Sequence, residues 1–381
     1  MFTHNFVFPD WQHSIVNLAA TWQQYLGKTP RHATIPALTK VLSAHHYQNI
    51  VYFVVDGMGS RVMAKHLPEN SYLRRHQTAE LTSVFPSATT VATTALLSGL
   101  TPAEHGWLGW TVDFNGSVIE LFPNRSYVSR LPLPEPDFAK HHLPYEYIFR
   151  NQTKAADYTI MPDKVYCTVD ATTNLTYHNW RGMTKHITNL CHQPGEKFIY
   201  CYNYQLDGLM HCYGPSSRHT KSLLRKIDRS LAKLVRSNPN TLFVVTADHG
   251  QIDLQGTVNL YQDQAVLDCL AHPPALEARG MSFKLKPGMT TAFQHAMQKY
   301  AADFVLFPTK TLIDYSVFGT FDQHQYQQLL GDFIAVGTQT NKMLVYKPDE
   351  AYTKNHPTRG QHGGLTPEEM YVPLIIAGQP E

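Results

Sequence analysis

Six residues of this chain have side chains suited to holding metal ions: five stand at or just past the end of an apolar run, and the sixth, His362, precedes the last such run. They are Asp56 in VVDGMGS, Asp207 and His211 in YQLDGLMHCYG, the adjacent Asp248 and His249 in VTADHGQ, and His362 in TRGQHGGLTPEEM. Mixed carboxylate and imidazole suits Zn²⁺, Mn²⁺ or Fe, whereas Mg²⁺ and Ca²⁺ favour all-oxygen shells. Six such ligands exceed one tetrahedral site and suffice for two three-ligand sites with open positions. Asp207 and His211 are four residues apart, so on a helical turn both face one ion. Taken singly, each has an ordinary reading. Asp56-Gly57 reads as a strand-end turn, Asp207 as a helix cap, and His211 or His362 as a plain core or loop histidine. Their occurrence together, after successive strands, is what favours chemistry.

A second reactive feature is VFPSATTVATTALLSG, residues 84–99, which packs Ser87, Thr89, Thr90, Thr93, Thr94 and Ser98 into an apolar run. β-Branched hydroxyl residues are mediocre in a helix interior. At a helix N-terminus, however, a hydroxyl meets unpaired N–H groups and the positive end of the helix dipole, a setting that also suits a phosphate. A threonine hydroxyl is a poor nucleophile until it is activated, and a divalent ion can activate it. The residues alone leave open which hydroxyl reacts.

These groups need a scaffold that gathers distant parts of the chain. NIVYFVVD (49–56), KFIYCYNYQ (197–205) and TLFVVTAD (241–248) are apolar and β-branched without alternation, as buried parallel strands are. YVPLIIAG (371–378) is a fourth strand candidate. Residues 216–238 repeat Leu223, Leu224, Ile227, Leu231, Leu234 and Val235 at helical spacing. Alternating strands and helices predict an α/β fold with a mainly parallel central sheet and helices on both faces. Such sheets present chemistry just beyond the C-terminal ends of their strands, which is where Asp56, Asp207 and Asp248 stand.

Two segments interrupt this rhythm. Residues 107–195 are rich in proline, aromatics and turn residues, while 256–355 carry helix and strand signals of their own in TTAFQHAMQKYAADFVLF, DFIAVG and KMLVYK. The second segment reads as an inserted small α/β cap subdomain. The expected organisation is a metal-dependent catalytic core, 1–255 with 356–381, and a cap over 256–355.

Composition excludes several classes. With 381 residues, 43% hydrophobic, and a formal charge of +2, the chain reads as globular and lacks the dense basic cluster of a nucleic-acid binder. Its start, MFTHNFVFPDWQH, lacks the pattern of a signal peptide, and no apolar run approaches the ~20 residues that span a bilayer. The five cysteines, Cys167, Cys191, Cys201, Cys212 and Cys269, form no CxxC and fit a reduced, cytoplasmic setting as buried small hydrophobes. Twenty-one histidines point weakly towards metal chemistry.

The order of these motifs resembles the alkaline phosphatase superfamily, and within it the type I phosphodiesterase/nucleotide pyrophosphatase branch. VVDGMGS, FPSATTVATTALLSGLTPAEHGW, YNYQLDGLMHCYG, VTADHGQ and GQHGGLTPEEMYVPLIIAG carry the resemblance across residues 50–378. It implies an alkaline phosphatase-like fold and two divalent ions per chain, zinc first, with manganese or iron as alternatives. One ion would be held by Asp207, His211 and His362. The other would be held by Asp56, Asp248 and His249 and would contact the nucleophile. In the family that nucleophile lies ten residues before the glycine closing the turn. Gly99 then points to Thr89, with Thr90 as the fallback, and Thr93 and Thr94 become packing or back-bonding residues.

The implied activity is hydrolysis of a phosphodiester or nucleotide pyrophosphate through a phosphothreonine intermediate, with a small-molecule phosphate ester or nucleotide as partner. At one point the chain departs from the pattern. The branch places an asparagine shortly after the HG pair, where EHGWLGW has Trp110, an aromatic face that could meet substrate or simply pack. No arginine in the motif blocks suggests a monoester clamp, and the segment from which sulfatases make formylglycine is absent. Alternatives are a phosphomonoesterase or phosphonate hydrolase on the same scaffold, a phosphoglycerate mutase relative, and a catalytically inactive ligand-binding homologue.

Overall fold

A computed structural model describes residues 4–163, 171, 173–321, 326–347 and 358–378, so that Cys167 lies outside the described residues. In chain order the strands are β1 (Asn49–Val55), β2 (Gln77–Thr82), β3 (Thr111–Phe114), β4 (Ser117–Glu120), β5 (Arg125–Ser126), β6 (Ala156–Pro162) and β7 (Thr173–Tyr177). They continue with β8 (Lys197–Asn203), β9 (Thr241–Thr246), β10 (Ile252–Asp253), β11 (Gly256–Asn259), β12 (Ala275–Glu277) and β13 (Gly280–Phe283). The last are β14 (Phe304–Pro308), β15 (Phe333–Gly337), β16 (Lys342–Val345), β17 (Gly360–Gln361) and β18 (Tyr371–Ala377).

The core sheet has the order β2-β18-β9-β1-β8-β6-β7. β1, β8 and β9 are buried along their whole length, as their unbroken apolar sequences require. β1 pairs in parallel with β8 from Asn49 opposite Lys197 to Val55 opposite Asn203, and with β9 from Asn49 opposite Thr241 to Val54 opposite Thr246. The three strands therefore end almost level, and the residues that follow them emerge at one edge. The closing strand β18 joins this sheet but runs antiparallel to β9 and β2. β6 and β7, from the turn-rich segment, extend the sheet on the other side in parallel.

Helices cover the sheet. Trp22, on the helix Ile15–Tyr25, is fully buried, with its ring 5.4 Å from Tyr52 of β1 and 5.3 Å from Phe198 of β8. A side chain of this size contributes about 1.5–3 kcal/mol by leaving water. The long helix Arg218–Arg236 starts at Ser217, whose side chain accepts from Thr220 N–H, and buries Leu224, Ile227, Leu231 and Leu234.

A second sheet, β14-β15-β13-β12-β3-β4-β5, stands beside the core. Sequence reading confined the smaller α/β unit to 256–355, but β12 pairs with β3 through Leu276 opposite Thr111, so residues 111–126 supply three strands of the same sheet. Strands of two to four residues among prolines and turns are too short to show a period. Only pairing reveals them.

This cap sheet is tied to the core by one fully buried ion pair. Arg279, between β12 and β13, donates Nε–H to Glu369 Oε1 at 2.7 Å and Nη2–H to Glu369 Oε2 at 3.1 Å. It also donates to the carbonyls of Lys342 and Thr338. Glu369 in turn accepts from Gly364 N–H at 2.9 Å and Thr366 Oγ1 at 2.7 Å, holding the turn that follows His362. Breaking a buried pair from one side leaves an uncompensated charge. Arg279→Met is expected to destabilise the protein by about 3–5 kcal/mol, read as a lowered urea midpoint, whereas Arg279→Lys, which lacks the two-pronged geometry, should fall between.

Candidate metal centre and active site

The level ends of β1, β8 and β9 bring the predicted ligands together. Asp56 directly follows β1, Asp207 lies in the first turn of the helix Gln205–Tyr213 after β8, and Asp248 and His249 follow β9. Gly57 permits the approach. It has φ +72°, and a Cβ there would lie 2.8 Å from Met210 Cε and 3.1 Å from Asp207 Cβ. His211 stands one turn after Asp207, with its Nε2 3.4 Å from Asp207 Oδ2. His362 arrives from the loop before β18, its Nε2 3.9 Å from Asp207 Oδ1.

Each histidine is held the same way. Nδ1 of His211 bonds the Gly360 carbonyl at 2.9 Å, Nδ1 of His249 the Gly250 carbonyl at 3.0 Å, and Nδ1 of His362 the Ser87 carbonyl at 3.0 Å. A carbonyl only accepts, so the proton sits on Nδ1 and the Nε2 lone pair is free to serve as a ligand. The carboxylates are equally lopsided. Asp56 Oδ2 accepts from the Tyr202 hydroxyl, and Asp248 Oδ1 accepts from the N–H groups of Gly57 at 3.1 Å and His249 at 3.0 Å. Asp56 Oδ1 and Asp248 Oδ2 are buried and have no hydrogen-bond partner among the described residues. Both lie 3.5 Å from His249 Nε2.

Two groups of three result, each with ligand atoms within 4.8 Å of one another: Asp56, Asp248 and His249, and Asp207, His249 and His362. The first is the set the resemblance implied. The second puts His249 in the tight cluster where His211 was expected. His249 and His362 stack with ring centroids 3.9 Å apart, while His211 and His362 are 5.1 Å apart. His211 keeps its place beside Asp207 at the rim, so His249 lies between the two groups.

The electrostatics favour cations. Burial raises Asp56 well above the usual carboxyl range, and the charges of Asp248 and Asp207 push the same way. Burial alone would also raise Asp207, but attraction to His211 outweighs it and the carboxyl titrates low. His362 is pushed well below the ordinary histidine value by burial and then by its neighbour His249. Buried carboxylates beside inward imidazole lone pairs, with two orphaned oxygens, fit divalent ions of the zinc class.

Of the hydroxyls in 84–99, one opens onto this centre. Thr89 is the first residue of the helix Thr89–Ser98 and is half-buried, with Oγ1 3.2 Å from His249 Nε2. Thr90 is fully buried. Thr93, Thr94 and Ser98 donate to the carbonyls of Thr89, Thr90 and Thr94, and Ser87 to that of Gly364. His105 of the HG pair is a packing residue, its Nδ1 accepting from Trp107 N–H at 3.0 Å and its pKa pushed down to about 3 by burial.

Thr89, Asp207, His211 and His362 line one end of a cavity of about 520 Å³, whose far wall comes from the cap. Trp110 lines that wall too, its ring edge-on to Phe122 at 6.0 Å and its main-chain N–H bonded to Glu277 Oε1 at 2.6 Å. Sequence reading missed Glu277, Tyr202 and Gln251. Tyr202 supports Asp56, and Gln251 donates to Asp207 Oδ1 at 2.6 Å. Tyr202 opens the quoted YNYQLDGLMHCYG stretch and Gln251 closes VTADHGQ, but a tyrosine or glutamine there carries no ligand signal of its own, and Glu277 stands outside every motif.

Residues 50–364 match the family model described as type I phosphodiesterase / nucleotide pyrophosphatase. Among solved structures, murine ectonucleotide pyrophosphatase / phosphodiesterase 5 is similar with a TM-score of 0.60 and 15% identity, over 85% of this chain and 87% of that one. An inactive threonine-to-alanine form of the same murine protein, in complex with AMP, matches with a TM-score of 0.59 at 15% identity, over 85% and 87%. Phosphonoacetate hydrolase from Sinorhizobium meliloti 1021, in complex with phosphonoformate, matches with a TM-score of 0.58 at 16% identity, over 87% and 90%. At such identities the likeness is one of fold. No curated protein matches the chain.

Outer-sphere support of this kind is worth about 10–100-fold in metal affinity. Tyr202→Phe is therefore expected to weaken Zn²⁺ binding by roughly that factor, read by calorimetric titration, with the circular dichroism spectrum unchanged.

Proposed function

The chain belongs to the type I phosphodiesterase / nucleotide pyrophosphatase family of phosphoric ester hydrolases, and from that footing we propose that it cleaves phosphodiesters by a two-step displacement at Thr89. The observation that carries this reading is the contact between Thr89 Oγ1 and His249 Nε2 at 3.2 Å, which puts a helix-terminal hydroxyl inside the ligand cluster. Asp56, Asp248 and His249 would hold one divalent ion and Asp207, His211 and His362 the other, supplying the positive charge that activates a hydroxyl and neutralises phosphoryl oxygens.

The chain's own residues do the rest. Thr89 Oγ1 bonds to phosphorus as the bond to the leaving oxygen breaks; the hydroxyl proton passes to water, and the departing alkoxide takes a proton from water to leave as the alcohol. The first N–H groups of the helix Thr89–Ser98 offer hydrogen bonds to the phosphoryl oxygens. Water then attacks the phosphothreonine, restoring Thr89 and releasing a phosphate monoester. The net reaction is diester plus water to monoester plus alcohol.

A diester is favoured over a monoester by the lining. Among the described residues the cavity contains no arginine, and its one lysine, Lys347, donates to the Val128 carbonyl. The second charge of a monoester would meet no guanidinium among the described residues of the lining. The murine structural neighbour, inactive as a threonine-to-alanine form and in complex with AMP, supports both a threonine nucleophile and a nucleotide-like ligand. A phosphonate substrate is the second reading, supported by the fold shared with the phosphonoacetate hydrolase. We also place the enzyme in a reducing, cytoplasmic setting, supported by Cys191, Cys201, Cys212 and Cys269 being free thiols.

The test is turnover of bis-(4-nitrophenyl) phosphate, 4-nitrophenyl phosphate and a 4-nitrophenyl phosphonate with Zn²⁺ or Mn²⁺. Thr89→Ala is expected to lower diester turnover by roughly 10³-fold or more and to abolish the covalent phosphoryl adduct seen by mass spectrometry. Thr90→Ala should retain both. Equal turnover by Thr89→Ala would refute the nucleophile. Elemental analysis should find about two ions per chain, and Asp207→Ala should lose about one.

A further inference from the structure

Among the described residues, Glu277 is the one carboxyl of the cavity lining that the ligand clusters do not use. It ends β12 in the cap, and its Oε1 accepts the Trp110 N–H at 2.6 Å. Its other oxygen forms no hydrogen bond among the described residues. The side chain crosses over the loop that carries His362: a Cβ at Gly363 would lie 2.8 Å from Glu277 Cβ and 3.7 Å from Oε2. The charge of His211 is felt at Glu277. The carboxyl therefore sits above the His211 and His362 side of the centre, partly buried, with its exposed part turned to the cavity it lines.

The surrounding wall is mostly apolar, with Leu276, Met281, Met343, Leu344 and Val345. Several other polar side chains of the lining have protein partners of their own. Thr111 Oγ1 donates to the Leu276 carbonyl, Lys347 to the Val128 carbonyl, and Gln361 Oε1 accepts from His362 N–H. The second oxygen of Glu277 therefore faces the cavity as an acceptor that a hydroxyl on a bound molecule can meet. The phosphoryl group belongs at the ligand cluster, so the part of an ester that reaches Glu277 is its organic group.

Resting on the diesterase reading above, we propose that Glu277 selects esters whose alcohol carries a free hydroxyl close to the phosphorus, as in a polyol or sugar. A hydroxyl is both donor and acceptor, so it pairs with a carboxyl in either protonation state. An ammonium group would need the ionised form. In a mostly apolar wall a neutral hydroxyl also costs less to desolvate than an ammonium. The class named is therefore hydroxylated rather than aminated esters.

The experiment compares 4-nitrophenyl esters with an identical leaving group: 2,3-dihydroxypropyl and propyl 4-nitrophenyl phosphate, which are of equal charge, and 2-aminoethyl 4-nitrophenyl phosphate, which adds an ammonium. The wild-type enzyme is expected to favour the dihydroxypropyl over the propyl ester by roughly 10–100-fold in kcat/KM, the value of a hydrogen bond to such a group. Glu277→Ala should collapse this ratio to within about threefold. Glu277→Gln, which can still accept from Trp110 and pair with a hydroxyl, should keep most of it. Equal wild-type rates on the dihydroxypropyl and propyl esters would overturn the proposal. So would a preference for the aminoethyl ester, or a ratio unchanged in Glu277→Ala. The wild-type ratio and Glu277→Gln decide the matter even where Glu277→Ala does not fold. Turnover of bis-(4-nitrophenyl) phosphate is run alongside. Its absence means that the diesterase reading has failed, whereas its presence with equal ester rates means that only the role of Glu277 has.

Discussion

Three carboxylates, Asp56, Asp207 and Asp248, meet at one point, two of them buried and the third at the edge of the cavity, and the rest of the site follows from that concentration of charge. Burial and mutual repulsion hold Asp56 well above its ordinary range. Such an arrangement persists only where something repays it. Part of the repayment is visible as fixed donors: the Tyr202 hydroxyl on Asp56, two main-chain N–H groups on Asp248, and Gln251 on Asp207. The remainder is pointed at by the two oxygens left bare, which a cation would satisfy.

The histidines are aimed by main-chain carbonyls rather than by side chains. Gly360, Gly250 and Ser87 each take an Nδ1 proton, so the ring orientation is set by backbone that other parts of the fold already fix. Gly250 shows how tightly those parts meet. A Cβ there would lie 2.0 Å from the Glu368 carbonyl oxygen, so the DHG turn and the helix Pro367–Met370 can touch only through glycine. The same helix supplies Glu369 to Arg279. One contact thus links the ligand turn after β9, the loop bearing His362, and the cap.

The cap's place follows from this. Its sheet does not merely sit over the centre. Through Arg279 it shares a buried ion pair with the loop that brings His362, and through Trp110 and Glu277 it forms the wall opposite Thr89. Core and cap thus meet at one cavity, lined by Thr89, Asp207, His211 and His362 from the one side and by Trp110 and Glu277 from the other.

The sequence by itself determined the core strands, the helical turn that pairs Asp207 with His211, and the residues that could carry chemistry. Apolar runs, helical spacing and ligand types are local properties, and the strand-end positions of Asp56 and Asp248 are legible from them. It also limited the nucleophile to a few hydroxyls near one helix start. Tertiary structure decided what depends on distance between remote segments. The antiparallel course of β18 and the extension of the cap sheet into residues 111–126 rest on pairing that leaves no local period. The grouping of His249 with His362, the exposure of Thr89 against the burial of Thr90, and the arrival of Glu277 beside His362 rest on how loops pack, often to within an ångström. A motif names which atoms could act together, but only the level ends of β1, β8 and β9 bring them within reach of one another.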